Sequence, residues 1–191
     1  MAVIILAGGK SRRMGQKDKA FLKIRKEFLI KRQLRSLKKH FKKIIIVANS
    51  PDKYKGLKGT TLIPDIVPGQ GPLGGIFSGL LASQDNYNFV VACDMPFINS
   101  RLIKYMRRNS AGFDVVVPKI NNRYEPLFSI YSKSCLKYIK PLLDKKIFKI
   151  SKFFTKVRVR EISKEEISRF GNPKNIFMNL NTPDDLLRLN A

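Results

Sequence analysis

A chain of 191 residues with 43% hydrophobic residues is long enough to bury one substantial core and too apolar to belong to the disordered class. No apolar run approaches the ~20 residues that cross a bilayer, and MAVIIL passes straight into glycines and charge, so neither a membrane span nor a signal peptide is expected. Thirty-eight basic residues against 14 acidic ones give a formal charge of +24, which attracts anions such as nucleic acid or a highly phosphorylated small molecule; a lysine-rich solvated surface carries the same charge.

Cys93 and Cys135 lack CxxC or Cys/His spacing and read as free thiols of a reducing, cytoplasmic compartment. The one histidine, His40, lies in the basic run KKHFKK, which argues against a Ser-His-Asp triad or a histidine-rich zinc site. No internal repeat or low-complexity linker interrupts the chain, so residues 1–191 are expected to form one domain.

In chain order, the run at Ala2–Ala7 is expected to be a strand, followed by the glycine-rich cationic stretch LAGGKSRRMGQKDKA. A helix is expected over Leu29–His40, with Leu29, Ile30, Gln33, Leu34 and Leu37 along one stripe. Strands follow at Lys43–Ala48 and Thr60–Ile63, then a helix at Leu73–Ser83 carrying Leu73, Ile76, Phe77, Leu80 and Leu81. Phe89–Cys93 is the next strand, and Asn99 is the N-cap of a helix over Ser100–Arg108. Phe113–Pro118, Leu127–Tyr131 and Val157–Ile162 are further strands, and Thr182-Pro183 opens a last helix. VIIL, IIIVA, FVVAC and DVVVP are continuous rather than alternating, as in strands of a parallel sheet covered on both faces. Strands alternating with helices predict a doubly wound α/β fold, whose ligands bind outside the carboxyl ends of the strands.

Five stretches can carry chemistry. In the opening loop, Gly8 and Gly9 let the backbone approach an anion, and Arg12, Arg13, Lys17 and Lys19 can reach phosphate oxygens. The loop is neither a Walker A motif nor GxGxxG, and a tight strand-to-helix turn would account for the glycines alone; the four cations point to phosphate. In FVVACDMPF, Asp94 stands at the end of a buried strand, as a Mg²⁺ ligand beside that phosphate site or as a helix cap. In LIPDIVPGQGPLGGIFSGL, Asp65 closes a strand, and Gly74 and Gly75 at a helix start suit close approach to a ligand or a plain turn-rich loop. In RYEPLFSIY and FMNLNTPDDL, Glu125 and Asn179 are polar residues at strand edges. With Asn181 they read as a pocket for a hydrogen-bonding heterocycle, or, at Asn181-Thr182-Pro183, as no more than a helix start.

LAGGKSRRMGQKDKA, the Asn of IVAN, the Asp of IPD, GPLGG, CDMPF, EPL and NLNTPDDL occur in the order seen in the molybdenum cofactor guanylyltransferases, a branch of the MobA-like nucleotidyltransferases. The resemblance covers nearly the whole chain. It implies a three-layer α/β/α sandwich with a mostly parallel, doubly wound sheet like that of the nucleotide-diphospho-sugar transferases. The implied reaction transfers GMP from GTP to the terminal phosphate of Mo-molybdopterin and releases pyrophosphate. On the same resemblance, Leu6, Ala7, Gly8, Lys19, Asn49, Asp65 and Asp94 would bind the nucleotide, Asp94 would hold Mg²⁺, and Arg13 and Lys19 would meet the triphosphate. Gly74, Gly75, Glu125, Asn179 and Asn181 would face the acceptor. Molybdoenzymes or cofactor-insertion proteins would be the protein partners. IRKEFL lacks the glycine that relatives often carry there, and Arg123 of KINNRYEPL has no clear counterpart. Cytidylyl transfer to the same pterin and guanylyl transfer to phospholactate share the opening motif. A basic nucleic-acid-binding protein is the reading from another class, but helix-turn-helix, zinc-finger and RNP signatures are missing.

Overall fold

β-branched runs become strands buried on both faces when helices cover both sides of a sheet, and this chain supplies the helices between the strands. In the computed structural model, which describes residues 1–7 and 18–190, the chain runs through β1 (Ala2–Leu6), β2 (Lys23–Ile24), β3 (Glu27–Phe28), α1 (Leu29–Leu37), β4 (Ile44–Ala48) and β5 (Thr61–Pro64). It continues through α2 (Gly71–Ala82), β6 (Tyr87–Ala92), α3 (Ser100–Arg108), β7 (Val115–Ile120), β8 (Arg123–Tyr124) and β9 (Phe128–Ser132). The last elements are α4 (Leu136–Asp144), β10 (Val159–Ile162), α5 (Lys164–Ser168), α6 (Pro173–Ile176) and α7 (Pro183–Asn190).

Among the described residues the main sheet has the order β10-β7-β9-β6-β1-β4-β5, with β8 paired to the end of β7. β1 pairs in parallel with both β4 and β6, β4 with β5, and β7 with β10. Only β9 within that order runs antiparallel, between β6 and β7. Alternate residues of each strand enter opposite cores. Val3, Ile5, Ile44, Ile46, Phe89 and Val91 pack with α1 and α3 on one face. Ile4, Ile45, Val47, Val90, Val115 and Val117 pack with α2, α4 and the 3₁₀ segment Ile150–Lys156 on the other. The result is the expected three-layer sandwich with a mostly parallel sheet.

Local chemistry sets the element ends. Asn99 accepts from Leu102 N at 3.0 Å and so caps α3, as its place in the sequence predicts. Thr182 Oγ1 accepts from Asp185 N at 3.2 Å, and Asp185 Oδ2 accepts from Thr182 N at 2.9 Å, a reciprocal cap that opens α7. α2 begins two residues before the expected Leu73: Gly71, at φ 63, makes the turn, and Pro72 occupies the first turn, where its missing N–H costs nothing. α4 forms despite Pro141 in its interior, because Ile139 and Leu143 are buried in the second core. Asn121 and Asn122, at φ 47 and 61, form the two-residue turn that closes the β7–β8 hairpin. In the IRKEFL segment a small hairpin forms without glycine, and Arg25 itself takes the left-handed position at φ 55. A third small core of Ile24, Leu29 and Leu180, joined by Met178, Leu186 and Leu189, ties that hairpin and α7 together.

Candidate active site

The parallel strands bring four separated sequence stretches to one edge of the sheet. The ladder continues one residue beyond three strands: Ala7 N donates to Val47 O (2.8 Å), Asp65 N to Ala48 O (3.2 Å) and Cys93 N to Leu6 O (3.0 Å). In the strand order β6-β1-β4-β5, the residues that leave this edge are Asp94, Ala7, Asn49 and Asp65. This is the place where an open α/β sheet binds ligands. Gly8 and Arg13, with Gly9, Arg12 and Lys17, lie outside the described residues.

Lys19 is the meeting point. Its Nζ donates to Asp94 Oδ2 at 2.8 Å and to Asn181 Oδ1 at 2.7 Å, joining positions 75 and 162 residues apart in the chain. The Lys19 and Asp94 side chains are 19% and 18% exposed, so the pair is reachable by a ligand but sheltered from bulk screening. Asp18 sets the position of Lys19. One oxygen of Asp18 accepts from Ala20 N at 3.1 Å and caps the 3₁₀ turn Lys19–Phe21. Its other oxygen lies 2.8 Å from the buried Tyr54 hydroxyl, which also sits 3.0 Å from Ala7 O. Burial first, and the Asp18 carboxylate second, push the Tyr54 hydroxyl far above its ordinary range, so it stays a neutral donor. Asp18 and Tyr54 were not singled out by sequence reasoning. The signal for Asp18 was present, since an Asp directly before the lysine of QKDKA is a good cap; Tyr54 gave none.

The other residues expected at the site take distinct places. Asn49 is exposed just beyond β4. Asp65 uses Oδ1 to accept from Ser78 Oγ (2.8 Å) and Val67 N (3.2 Å), which ties the loop after β5 to α2. Gly74 and Gly75 are buried in the first turns of α2. A Cβ on Gly74 would stand 2.9 Å from Val67 O, and one on Gly75 3.2 Å from Leu6 Cδ2, so packing of the helix against its own loop and against β1 accounts for both glycines. Glu125 precedes β9, its N–H on Pro118 O at 2.9 Å. Burial pushes its carboxyl above the ordinary range. It lines a cleft of about 710 Å³ with Arg123, Lys164, Asn172, Lys174 and Phe177. Asn179 donates to Phe177 O at 3.3 Å, the carbonyl of a residue that lines the cleft, while Asn181 lies at the Lys19–Asp94 pair. The antiparallel entry of β9 is what carries Glu125 to the carboxyl edge: Leu127 O accepts from Ala92 N, two residues before Asp94.

The donor set bears on a metal. Among the described residues no group of three or more His, Cys, Asp or Glu side chains could hold an ion. Asp94 is a partly exposed carboxylate facing a lysine. That fits Mg²⁺ in its usual nucleotide setting, with one or two carboxylates completed by substrate phosphates and water, and does not fit an all-protein cage.

Residues 3–159 match the model of the MobA-like NTP transferase domain. A protein of Pelotomaculum thermopropionicum named "Probable molybdenum cofactor guanylyltransferase" is 40% identical over 186 residues, covering 97% of this chain and 89% of its own. A Clostridium perfringens protein of the same name is 38% identical over 194 residues, covering 95% and 91%. The crystal structure of molybdopterin-guanine dinucleotide biosynthesis protein A from Archaeoglobus fulgidus superposes with a TM-score of 0.86 at 27% identity, covering 100% of this chain and 97% of the other.

Proposed function

We propose, for a chain that belongs to the MobA-like NTP transferases, the transfer of GMP from GTP to the terminal phosphate of Mo-molybdopterin. A phosphate oxygen of the acceptor attacks the α-phosphorus, the bond from that phosphorus to the β-phosphate bridging oxygen breaks, and pyrophosphate leaves. The observation that carries this reading is the Lys19–Asp94–Asn181 constellation at the carboxyl edge of the sheet, in a chain up to 40% identical to proteins named for guanylyl transfer.

The nucleophile is already an anion, so the reaction needs positioning and charge neutralisation rather than a general base. Leu6, Ala7, Gly8, Asn49 and Asp65 would line the nucleotide, with Arg13 and Lys19 on the triphosphate. Mg²⁺, held by Asp94 and the phosphates, would supply Lewis-acid charge at the phosphoryl oxygens. Lys19 Nζ would donate to a phosphate oxygen of the nucleotide, with Asn181 Oδ1, 2.7 Å away, keeping the ammonium oriented. Glu125, Asn179 and Asn181 would face the pterin. The acceptor's anionic character is matched by Arg123, Lys164 and Lys174 in the adjoining cleft. Among the described residues no helix is long and apolar enough to cross a membrane. The product would pass, in the cytoplasm, to molybdoenzymes or insertion proteins.

Pyrophosphate release with each of the four NTPs, with and without molybdopterin, tests the reading. GTP with molybdopterin should be the productive pair, and preference over CTP can reach ~10⁴ in kcat/KM for a site built to hydrogen-bond one base. Equal use of CTP would overturn the base assignment, and release indifferent to molybdopterin would overturn the acceptor.

A further inference from the structure

Gln33 is an anomaly of the first core. It lies on the apolar face of α1 between Ile30, Leu34 and Leu37, with no exposed surface. Its Nε2 donates to Ala92 O at 2.8 Å and to Met95 O at 2.7 Å. Two carbonyl oxygens facing one end of the side chain require that end to be the NH₂, so the amide orientation is chemically fixed. Oε1 is buried and has no hydrogen-bond partner among the described residues. An unsatisfied buried acceptor is destabilising, so an apolar side chain would serve packing better at this position. The amide is kept for what its donors hold.

They hold the turn that presents Asp94. Ala92 and Met95 are the first and last residues of the four-residue turn containing Cys93 and Asp94. The turn's own bond, Met95 N to Ala92 O, is long at 3.4 Å, so it is weakly closed from within. Gln33 joins the two end carbonyls from beneath with two short bonds. Cys93 N on Leu6 O (3.0 Å) and Leu180 N on Asp94 O (2.9 Å) tether the middle. The Asp94 carboxylate, 2.8 Å from Lys19 Nζ, stands on top of this clamp. We infer that Gln33 is a positioning residue for Asp94: its side-chain amide clamps the Ala92–Met95 turn from the core, fixing where the carboxylate stands relative to Lys19 and an incoming nucleotide. The catalytic consequence rests on the function proposed above; the clamp itself does not.

The test uses Gln33→Met in the full chain, which keeps the length of the side chain, suits an apolar site and removes both donors. Hydrogen exchange on the nucleotide-free protein should show the amides of Cys93–Met95 exchanging at least ~10-fold faster, with β1 and the rest of β6 unchanged. With GTP and molybdopterin, kcat should fall by ~10–100-fold, the range for losing a partner that orients a metal-binding side chain, while KM for GTP stays within a few-fold. Gln33→Asn, one methylene too short to span both carbonyls, should fall between Gln33→Met and wild type in both readouts, and carries the comparison if Gln33→Met does not fold. Exchange that rises equally across the sheet, or a kcat equal to wild type at temperatures where the variant is folded, overturns the inference. If wild type turns over no NTP, the proposed function has failed, and the exchange measurement still decides the clamp.

Discussion

Gly79→Ala sets two magnitudes against each other. In an exposed helix the change is worth about 1 kcal/mol in favour of alanine. Gly79 is inside α2, over the middle of β1, and a methyl there would lie 2.5 Å from Ile4 Cγ2 and 3.0 Å from Ile4 Cδ1. Carbon atoms pack at about 3.5–4.0 Å, so roughly 1 Å of movement is needed. Ile4 cannot supply it easily: it has no exposed surface, is paired on both sides to Ile45 and Val90, and is β-branched, which restricts χ1. The helix must shift instead, at the ~1–3 kcal/mol typical of overpacking. With the rigid neighbour placing the cost near the top of that range, the net is a loss of about 1–2 kcal/mol, or roughly 2–8 °C in Tm for a chain of this size. Gly56→Ala is the control: nothing lies within 4 Å of its Cβ direction, so it should leave stability within about 0.5 kcal/mol or raise it slightly. Urea titration and thermal melting of both variants measure the contrast. A Gly79→Ala protein as stable as wild type or more so would refute the close packing of α2 on β1.

Lys19→Ala should lower kcat by ~10²–10³, as for loss of one preorganised electrostatic contact, with a smaller change in GTP affinity; Lys10→Ala and Lys17→Ala should cost little, and similar modest losses in all three would mean a diffuse cationic field. Glu166 is subject to burial, which alone would raise its pKa, but hydrogen bonds from Arg160, Tyr105 and Ser163 N outweigh burial and hold it at about 2 against an ordinary 4.5. A depressed folded pKa contributes stability that is fully present above about pH 4.5 and lost as pH falls toward 2. Urea midpoints should therefore drop across that window in wild type and change less in Glu166→Gln, and identical slopes would count against this network. Burial, then the Asp114 charge, pushes the Cys135 thiol up to about 12, and burial with Asp94 and Asp18 pushes Cys93 higher still. Both thiols should ignore a disulfide reagent at pH 8 in the native protein and react in denaturant, and rapid labelling of the folded chain would contradict their placement.

The covered, mostly parallel sheet was legible in the sequence because continuous β-branched runs have one economical home, between two layers of helix. Asn99 and Thr182 were legible as caps because a cap bonds within three residues, a range at which sequence and structure coincide. Asp94 and Asp65 could be placed at a ligand-binding edge because each directly follows an apolar run that ends there. Their partners could not be read. Lys19, Asp94 and Asn181 meet across 75 and 162 residues through strand order and a small core of Ile24, Leu29 and Leu180, neither of which has a local signature. Gly74 and Gly75 face Val67 and Leu6 because of how α2 lies on its loop and on β1, which spacing alone does not specify. Gln33 shows the division within one side chain: helical spacing put it on the buried stripe of α1, but only the stacking of α1 under the end of β6 decided that its amide would hold the turn carrying Asp94. Local rules act over a few residues, whereas a site at a sheet edge is assembled by contacts whose sequence separation carries no pattern.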